Sequence, residues 1–364
     1  MNNLLIGLLG AVLATNQPLA TSNLIQQQTG VSVPVVDAND PVEKELQQLM
    51  IADDAALDEV DLWIRTNNAA IEAGKEGAPK DELNTRIKTR LDGIKQDYQN
   101  FLGRHPNHAR GYLAYGSFLN DIGDEEGAKF QFENSLKIDP ANPAVWNNLA
   151  NYYGHEGPIT NAFVYYTKAI ELNPAEPVYY QNLGTTVYLY RKDAREFYGI
   201  NEQQVFDKAL ELYGKALKLR PDNFDLATDL AQSYYGIKPL RTNDALNAWT
   251  NALKIAHDDT EREGVYIHLA RIKIAAGRFD EARAQLADVT NSMYAGLRTR
   301  VERSLADREF AATNPAPPMT TNTIANTPKP APVASTNIVN LTTNLIFSTP
   351  TLRPLPTTND TNTP

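Results

Sequence analysis

The sequence predicts an all-α fold, an α-solenoid of stacked antiparallel helix pairs followed by a polar C-terminal tail. Three observations predict it. Four prolines close similar phrases, FLGRHP at Pro106, SLKIDP at Pro140, AIELNP at Pro174 and ALKLRP at Pro221, in successive steps of 34, 34 and 47 residues. Between them apolar and small residues recur at helical spacing. After Ala311 the composition changes to Thr, Asn, Pro and Ala. Each proline ends a helix because it has no N–H for the backbone ladder. A helix pair repeated at such a period buries its apolar face only against its neighbours.

The chain begins with LLIGLLGAVLA, Leu4 to Ala14. This run is too short to span a bilayer, which takes about 20 residues, and it suits the apolar core of a signal peptide over residues 1–20. No Lys or Arg precedes it; the first basic residue is Lys44. The expectation is export to a periplasm or the exterior, with start points near Thr15 or Thr21, no membrane span in the mature chain, and a linker at 21–40. The alternative is a cytoplasmic protein whose N-terminal helix docks on the fold. The 364 residues contain no cysteine, so disulfides, thiolate chemistry and cysteine zinc sites are excluded. A net charge of −10 argues against nucleic acid as partner.

A degenerate pair is expected over 41–108. Its first helix is Leu46 to Ile64 around Trp63, and its second carries Leu83, Ile87, Leu91, Ile94, Tyr98 and Phe101. The unit at 109–142 places Tyr112, Tyr115, Gly116 and Leu119 on a first helix and Ala128, Phe132 and Ser135 on a second. The clearest unit, 143–176, has Trp146, Leu149, Ala150 and Tyr153 at i, i+3, i+4 and i+7, a turn at Gly157-Pro158, then Ala162, Tyr166 and Ala169. Small residues let the helices approach and large ones fill the gaps. Trp146 is therefore expected to be among the most buried and most costly residues to truncate.

The unit at 177–223 carries Leu183, Gly184 and Val187, then Ala209, Tyr213 and Ala216, with 13 residues beyond the period of 34 at about Arg191–Phe206. Gly199 reads as a helix stop, and Asn201 with Gln204 as a capping box. Both helices of this pair are expected to lengthen, presenting Arg191, Lys192 and Arg195 as a basic knob for a partner. Units at 224–260 (Leu230, Ala231, Tyr234; Ala245, Trp249, Ala252) and 263–290 (Tyr266, Leu269, Ala270; Ala282, Leu286) follow, then a charged capping helix at 292–309. The tail, 311–364, has too little apolar material to offset its ordering entropy and reads as disordered; Ile338 to Phe347 is its one apolar island.

The alternation of Trp, Leu, Ala and Tyr with Ala, Tyr, Ala and Pro resembles the tetratricopeptide repeat family over about residues 42–290. That resemblance implies a right-handed superhelix and a role in binding protein or peptide segments along a concave face formed by the first helices. It places groove positions at the fifth, ninth and twelfth residues of each unit. Here these are Leu113, Ser117 and Asn120; Asn147 and Asn151, beside Gly154; Gln181, Thr185 and Tyr188; and Thr228, Gln232 and Tyr235, beside Gly236. Amide side chains donate and accept, so they match a peptide backbone. Asn147, Gln181 and Gln232 are expected to be exposed and cheap to replace. None of these positions is basic; Arg110 and Arg271 are the nearest cations, which argues against a heat-shock cochaperone groove that holds a terminal carboxylate.

Signals for catalysis are weak. His105 and His108 flank Pro106 off a helix, and His257 and His268 read as isolated. HExxH, Walker, GxSxG and dinucleotide motifs are absent. The sequence therefore predicts a scaffold with no enzyme activity, no cofactor, no metal site and no small-molecule substrate, bound to a protein or peptide partner. A rival reading is an assembly subunit of a cell-envelope complex, held through the 191–206 protrusion or an outer face.

Overall fold

A computed structural model of the chain describes residues 40–314. The N-terminal apolar run and the polar tail lie outside the described residues, as do the expectations made for them. Of the described residues 82% are helical and none is in a strand, which settles the class as all-α. Among them, no helix is long and apolar enough to cross a membrane.

Two compact units divide between Asn182 and Leu183, inside one helix. The first contains α1 (Pro41–Glu72), α2 (Lys80–Arg104), α3 (Ala109–Asp121), α4 (Glu125–Ile138), α5 (Pro143–Glu156), α6 (Ile159–Leu172) and the start of α7 (Pro177–Leu189). Its helix starts follow from local chemistry. Asp40 accepts from Val42 N at 2.8 Å before a proline at the first helical position, Asp124 accepts from Gly127 N at 3.1 Å, and Asn142 from Ala144 N at 3.0 Å. His108, one of the two histidines around Pro106, caps α3 by accepting from Gly111 N at Nδ1 (3.0 Å), while its Nε2 lies 3.2 Å from Glu43. One core joins α1 to α5: Leu46, Ile94, Tyr98, Phe101, Tyr115, Phe118, Phe132 and Leu149 are all buried. Tyr98 stacks on Tyr115 with ring centroids 5.0 Å apart. The degenerate pair is a full member of this core, with α1 running to 32 residues.

Two expectations in this unit need correction. Trp146 is half-buried rather than enclosed: its indole Nε1 donates to Pro140 O at 2.8 Å and its ring rests on Tyr165 at 5.1 Å. Asn147, expected on the open face, is 7% exposed. A residue turned by about 100° around a helix exchanges roles with its neighbour, and here the first helix presents position 147, not 146, to the interior.

The second unit contains the end of α7, then α8 (Arg191–Tyr198), α9 (Glu202–Leu219), α10 (Phe224–Ser233), α11 (Thr242–Ile255), α12 (Asp259–Ala275), α13 (Phe279–Ala287) and α14 (Ala295–Thr313). The capping box forms: Gln204 N donates to Asn201 Oδ1 and Asn201 N to Gln204 Oε1, at 3.0 and 2.9 Å. Gly199 ends α8 at φ 64°, ψ 36°, a left-handed conformation that a Cβ would penalise. Only the second helix of this pair lengthens, to 18 residues. The first does not. Tyr190 leaves the helical well (φ −101°, ψ 51°), Arg191 Nη1 takes the Tyr188 carbonyl at 2.7 Å, and α8 starts as a separate element.

Two clusters of buried residues follow along this unit. Ala227, Ala231, Trp249, Val265, Leu269 and Ile272 form one, and Ile267, Ala270, Leu286, Val289, Val301 and Leu305 the other. Glu263, 8% exposed, holds the loop between α13 and α14: its carboxylate accepts from Thr290 N (2.8 Å), Thr290 Oγ1 (2.9 Å) and Asn291 N (2.6 Å). Helix α14 buries only Val301 and Leu305, as a capping helix does.

Candidate interaction face

In the first unit the expected groove positions fall on α3, α5 and α7. Asn120 is exposed, Ser117, Asn151 and Gln181 are half-buried, and Leu113 is packed against the core. An amide network joins two of these helices. Asn182 Nδ2 on α7 donates to Asn147 Oδ1 (3.0 Å) and lies 3.5 Å from Asn151 Oδ1 on α5. Asn151 Oδ1 also accepts from Tyr166 OH at 2.6 Å, and Asn147 Nδ2 approaches Asn148 Oδ1 at 3.4 Å. A buried amide needs partners for both its ends, and Asn147, the buried one, has Asn182 at its Oδ1 and Asn148 at its Nδ2. The face carries side-chain amides held by these bonds. The cation expected nearest to it, Arg110, is paired with Glu43 at 2.5 Å.

In the second unit most of the positions are tied down by different neighbours: the repeat's own second helix, their own helix, or the following repeat. Thr185 Oγ1 and Tyr213 OH are 2.8 Å apart. Tyr188 OH reaches the backbone at Gly236, where a Cβ would meet that oxygen at 2.2 Å and push the tyrosine aside. Thr228 Oγ1 donates to Asp225 O at 2.8 Å and Gln232 is half-buried. Tyr235 OH meets His268 Nδ1 at 3.0 Å. His268 is thus not isolated. It stacks on Trp249 (4.1 Å, 8° between planes), and burial together with the Arg271 charge lowers its pKa to about 3, so it is neutral. Sequence reading missed this cluster; the available signal was a Trp where the neighbouring second helices carry Phe132, Tyr166 and Tyr213.

The basic knob is smaller than expected. Arg191 is half-buried, its guanidinium 5.3 Å from the Tyr188 ring and 5.5 Å from Phe206, so it braces the α7–α8 junction. Lys192 and Arg195 remain exposed, beside exposed Phe197.

A second feature missed from sequence is Asp53 on α1. It is 8% exposed and accepts from Tyr98 OH; burial raises its pKa to about 7, and Asp54 and Asp121 add to the shift while the hydrogen bond opposes it. Among the described residues no group of three or more His, Asp or Glu side chains is arranged to hold a metal ion.

The tetratricopeptide repeat family model matches residues 109–142 and 143–176, the two units on either side of Pro140. No curated relative matches the sequence. Among solved structures, MamA is 23% identical, covering 47% of this chain and 92% of its own, with a TM-score of 0.38. YrrB, described as a TPR protein with an unusual peptide-binding site, is 12% identical over 57% of this chain and 97% of its own, TM-score 0.43. The pilF protein of Pseudomonas aeruginosa is 15% identical over 69% and 98%, TM-score 0.45. Scores this low add nothing to what the helices themselves establish.

Proposed function

Residues 109–176 form two tetratricopeptide repeats, and from that premise we propose that the chain is a non-catalytic scaffold that binds an extended protein or peptide segment along the faces of its first helices. The observation that carries this reading is the amide network of Asn147, Asn151 and Asn182. Amides locked by one another are pre-oriented, so ordering them costs little when a peptide backbone arrives. Half-buried Ser117 and Gln181 and exposed Asn120, at the other expected positions on α3 and α7, offer further donors and acceptors. Each unit would contribute its own stretch of contacts.

Peptides selected from a displayed random library against the whole protein test the reading. Asn120→Arg, Gln181→Arg and Gln232→Arg, combined, add bulk and charge at three surface-accessible positions. They should abolish capture of selected peptides while leaving the far-UV spectrum unchanged. Peptides that bind the triple variant at full strength would rule the face out.

The alternative, an assembly subunit held through the 191–206 protrusion, is favoured by one observation: Lys192, Arg195 and Phe197 are exposed together on α8. Lys192→Ala with Arg195→Ala would then remove a stoichiometric partner that the triple variant keeps. The N-terminal apolar run fits a cleaved export signal, and mass spectrometry of protein made in a secreting cell should find a start near Thr15 or Thr21; an intact Met1 would mean it is retained.

A further inference from the structure

In two successive repeats the aromatic residue of the second helix ends in a hydroxyl that meets a polar side chain of its own first helix. Tyr166 OH donates to Asn151, and Tyr213 OH pairs with Thr185. The next repeat breaks the pattern. Trp249 stands at this place, 1% exposed, and its Nε1–H has no acceptor among the described residues. Its ring is stacked on His268. The Tyr235 hydroxyl is turned to His268, meeting Nδ1 at 3.0 Å and the carbonyl at 3.3 Å. Arg271, one turn further along α12 and half-buried, lies with its guanidinium 4.7 Å from the Tyr235 ring centroid and forms no ion pair among the described residues.

The bookkeeping of donors and acceptors is one-sided here. A guanidinium and an indole donate and cannot accept. A positive charge taken partly out of water carries a desolvation cost that an arriving acceptor removes; the Trp249 N–H, enclosed beneath it, reports on the site without reaching the ligand. His268, held neutral, adds no competing charge. The missing element is an anionic acceptor, and a guanidinium stacked on an aromatic ring keeps its edge available for a planar carboxylate.

We propose that Arg271, Tyr235 and the Trp249–His268 stack form a subsite for a carboxylate side chain, an aspartate or glutamate of a segment lying on α10 and α12. Arg271 takes the carboxylate, Tyr235 orients the guanidinium, and the Trp249–His268 stack is the floor. The proposal rests on the segment-binding reading for its purpose but is tested apart from it, with small probes that need no groove.

The chain has three tryptophans, Trp63, Trp146 and Trp249, so the indole N–H resonances of the full-length 15N-labelled protein are few enough to assign by substitution. The probes are N-acetylglutamic acid α-amide, its glutamine counterpart and N-acetylalanine, added at constant ionic strength. The glutamic acid probe should move the Trp249 indole resonance in a saturable way, and the glutamine probe should need at least about tenfold more for the same shift. Arg271→Gln should abolish the response and Arg271→Lys weaken it, with the Trp63 and Trp146 resonances unmoved as evidence of an intact fold. An equal response to both amides, a response surviving in Arg271→Gln, or a still Trp249 resonance would overturn the proposal. Saturation by N-acetylalanine at lower concentration than the glutamic acid probe would overturn the side-chain assignment, because its carboxylate belongs to a chain terminus.

Discussion

Asn182 on α7 donates to Asn147 on α5 at 3.0 Å, a hydrogen bond between the first helices of consecutive repeats. It explains why Asn147 is buried, and it reverses the energetic ranking that the sequence suggests for its neighbourhood. Losing that amide leaves Asn182 with an unmade bond, so Asn147→Ala should cost about 1–2 kcal/mol. Trp146→Ala removes a half-buried ring and should cost a similar 1–2 kcal/mol or so. Trp249→Ala empties an enclosed site and should cost about 3–5 kcal/mol. Urea denaturation of the three variants checks the order; Trp146→Ala as the most damaging of them would refute it.

Asp53 should make the protein less stable as pH rises toward neutrality. Its folded pKa, about 7, lies above the ordinary carboxylate value. The unfolded chain therefore releases the proton first, and stability falls from about pH 4 up to about pH 7, by an amount on the order of a few kcal/mol. Asp53→Asn keeps an acceptor for Tyr98 OH without the titration. The variant should gain on the wild type steadily across that range, and denaturation midpoints at pH 4.5, 6 and 7.5 measure the gap. A constant gap would mean that Asp53 titrates normally.

Glu263 acts in the opposite sense. Its hydrogen bonds from Asn291 N, Thr290 Oγ1 and Thr290 N hold its pKa below the usual value. That contribution is complete above the unfolded carboxylate pKa and is lost as pH falls through the folded one. Glu263→Ala should release the loop between α13 and α14. Amide hydrogen exchange at Thr290 and Asn291 should speed by at least about tenfold, while that of Ile267 and Ile272 within α12 changes little.

These cases show which parts of the molecule the sequence reveals. Helix ends are written locally: the prolines after α2, α4, α6 and α9, the Asn201–Gln204 box and the Gly199 stop all stand where the chain chemistry puts them. What is not legible depends on partners distant in sequence. Asn147 is buried by a residue 35 positions away, Asp53 by one 45 away, and Glu263 by a loop 27 away. A period of 34 gives the axis of each helix but fixes its rotation only to within about one residue, 100°. That error exchanged Trp146 and Asn147. Arg191 and His268 looked free for another reason: aromatic rings, a backbone carbonyl and a tyrosine hydroxyl hold them, and these leave no charge pattern in the sequence.

A segment bound along the faces of the first helices would be within reach of side chains there. Photo-crosslinking detects it, with a benzophenone amino acid placed singly at Asn120, Gln181 or Gln232, or at Lys192 or Arg195, in full-length protein inside its own cells. One and the same partner should be crosslinked from Asn120, Gln181 and Gln232, with the adduct mapping to a contiguous stretch of that partner, and weakly or not at all from Lys192 and Arg195. Adducts from Lys192 and Arg195 alone would refute binding on the first helices and move the surface to α8.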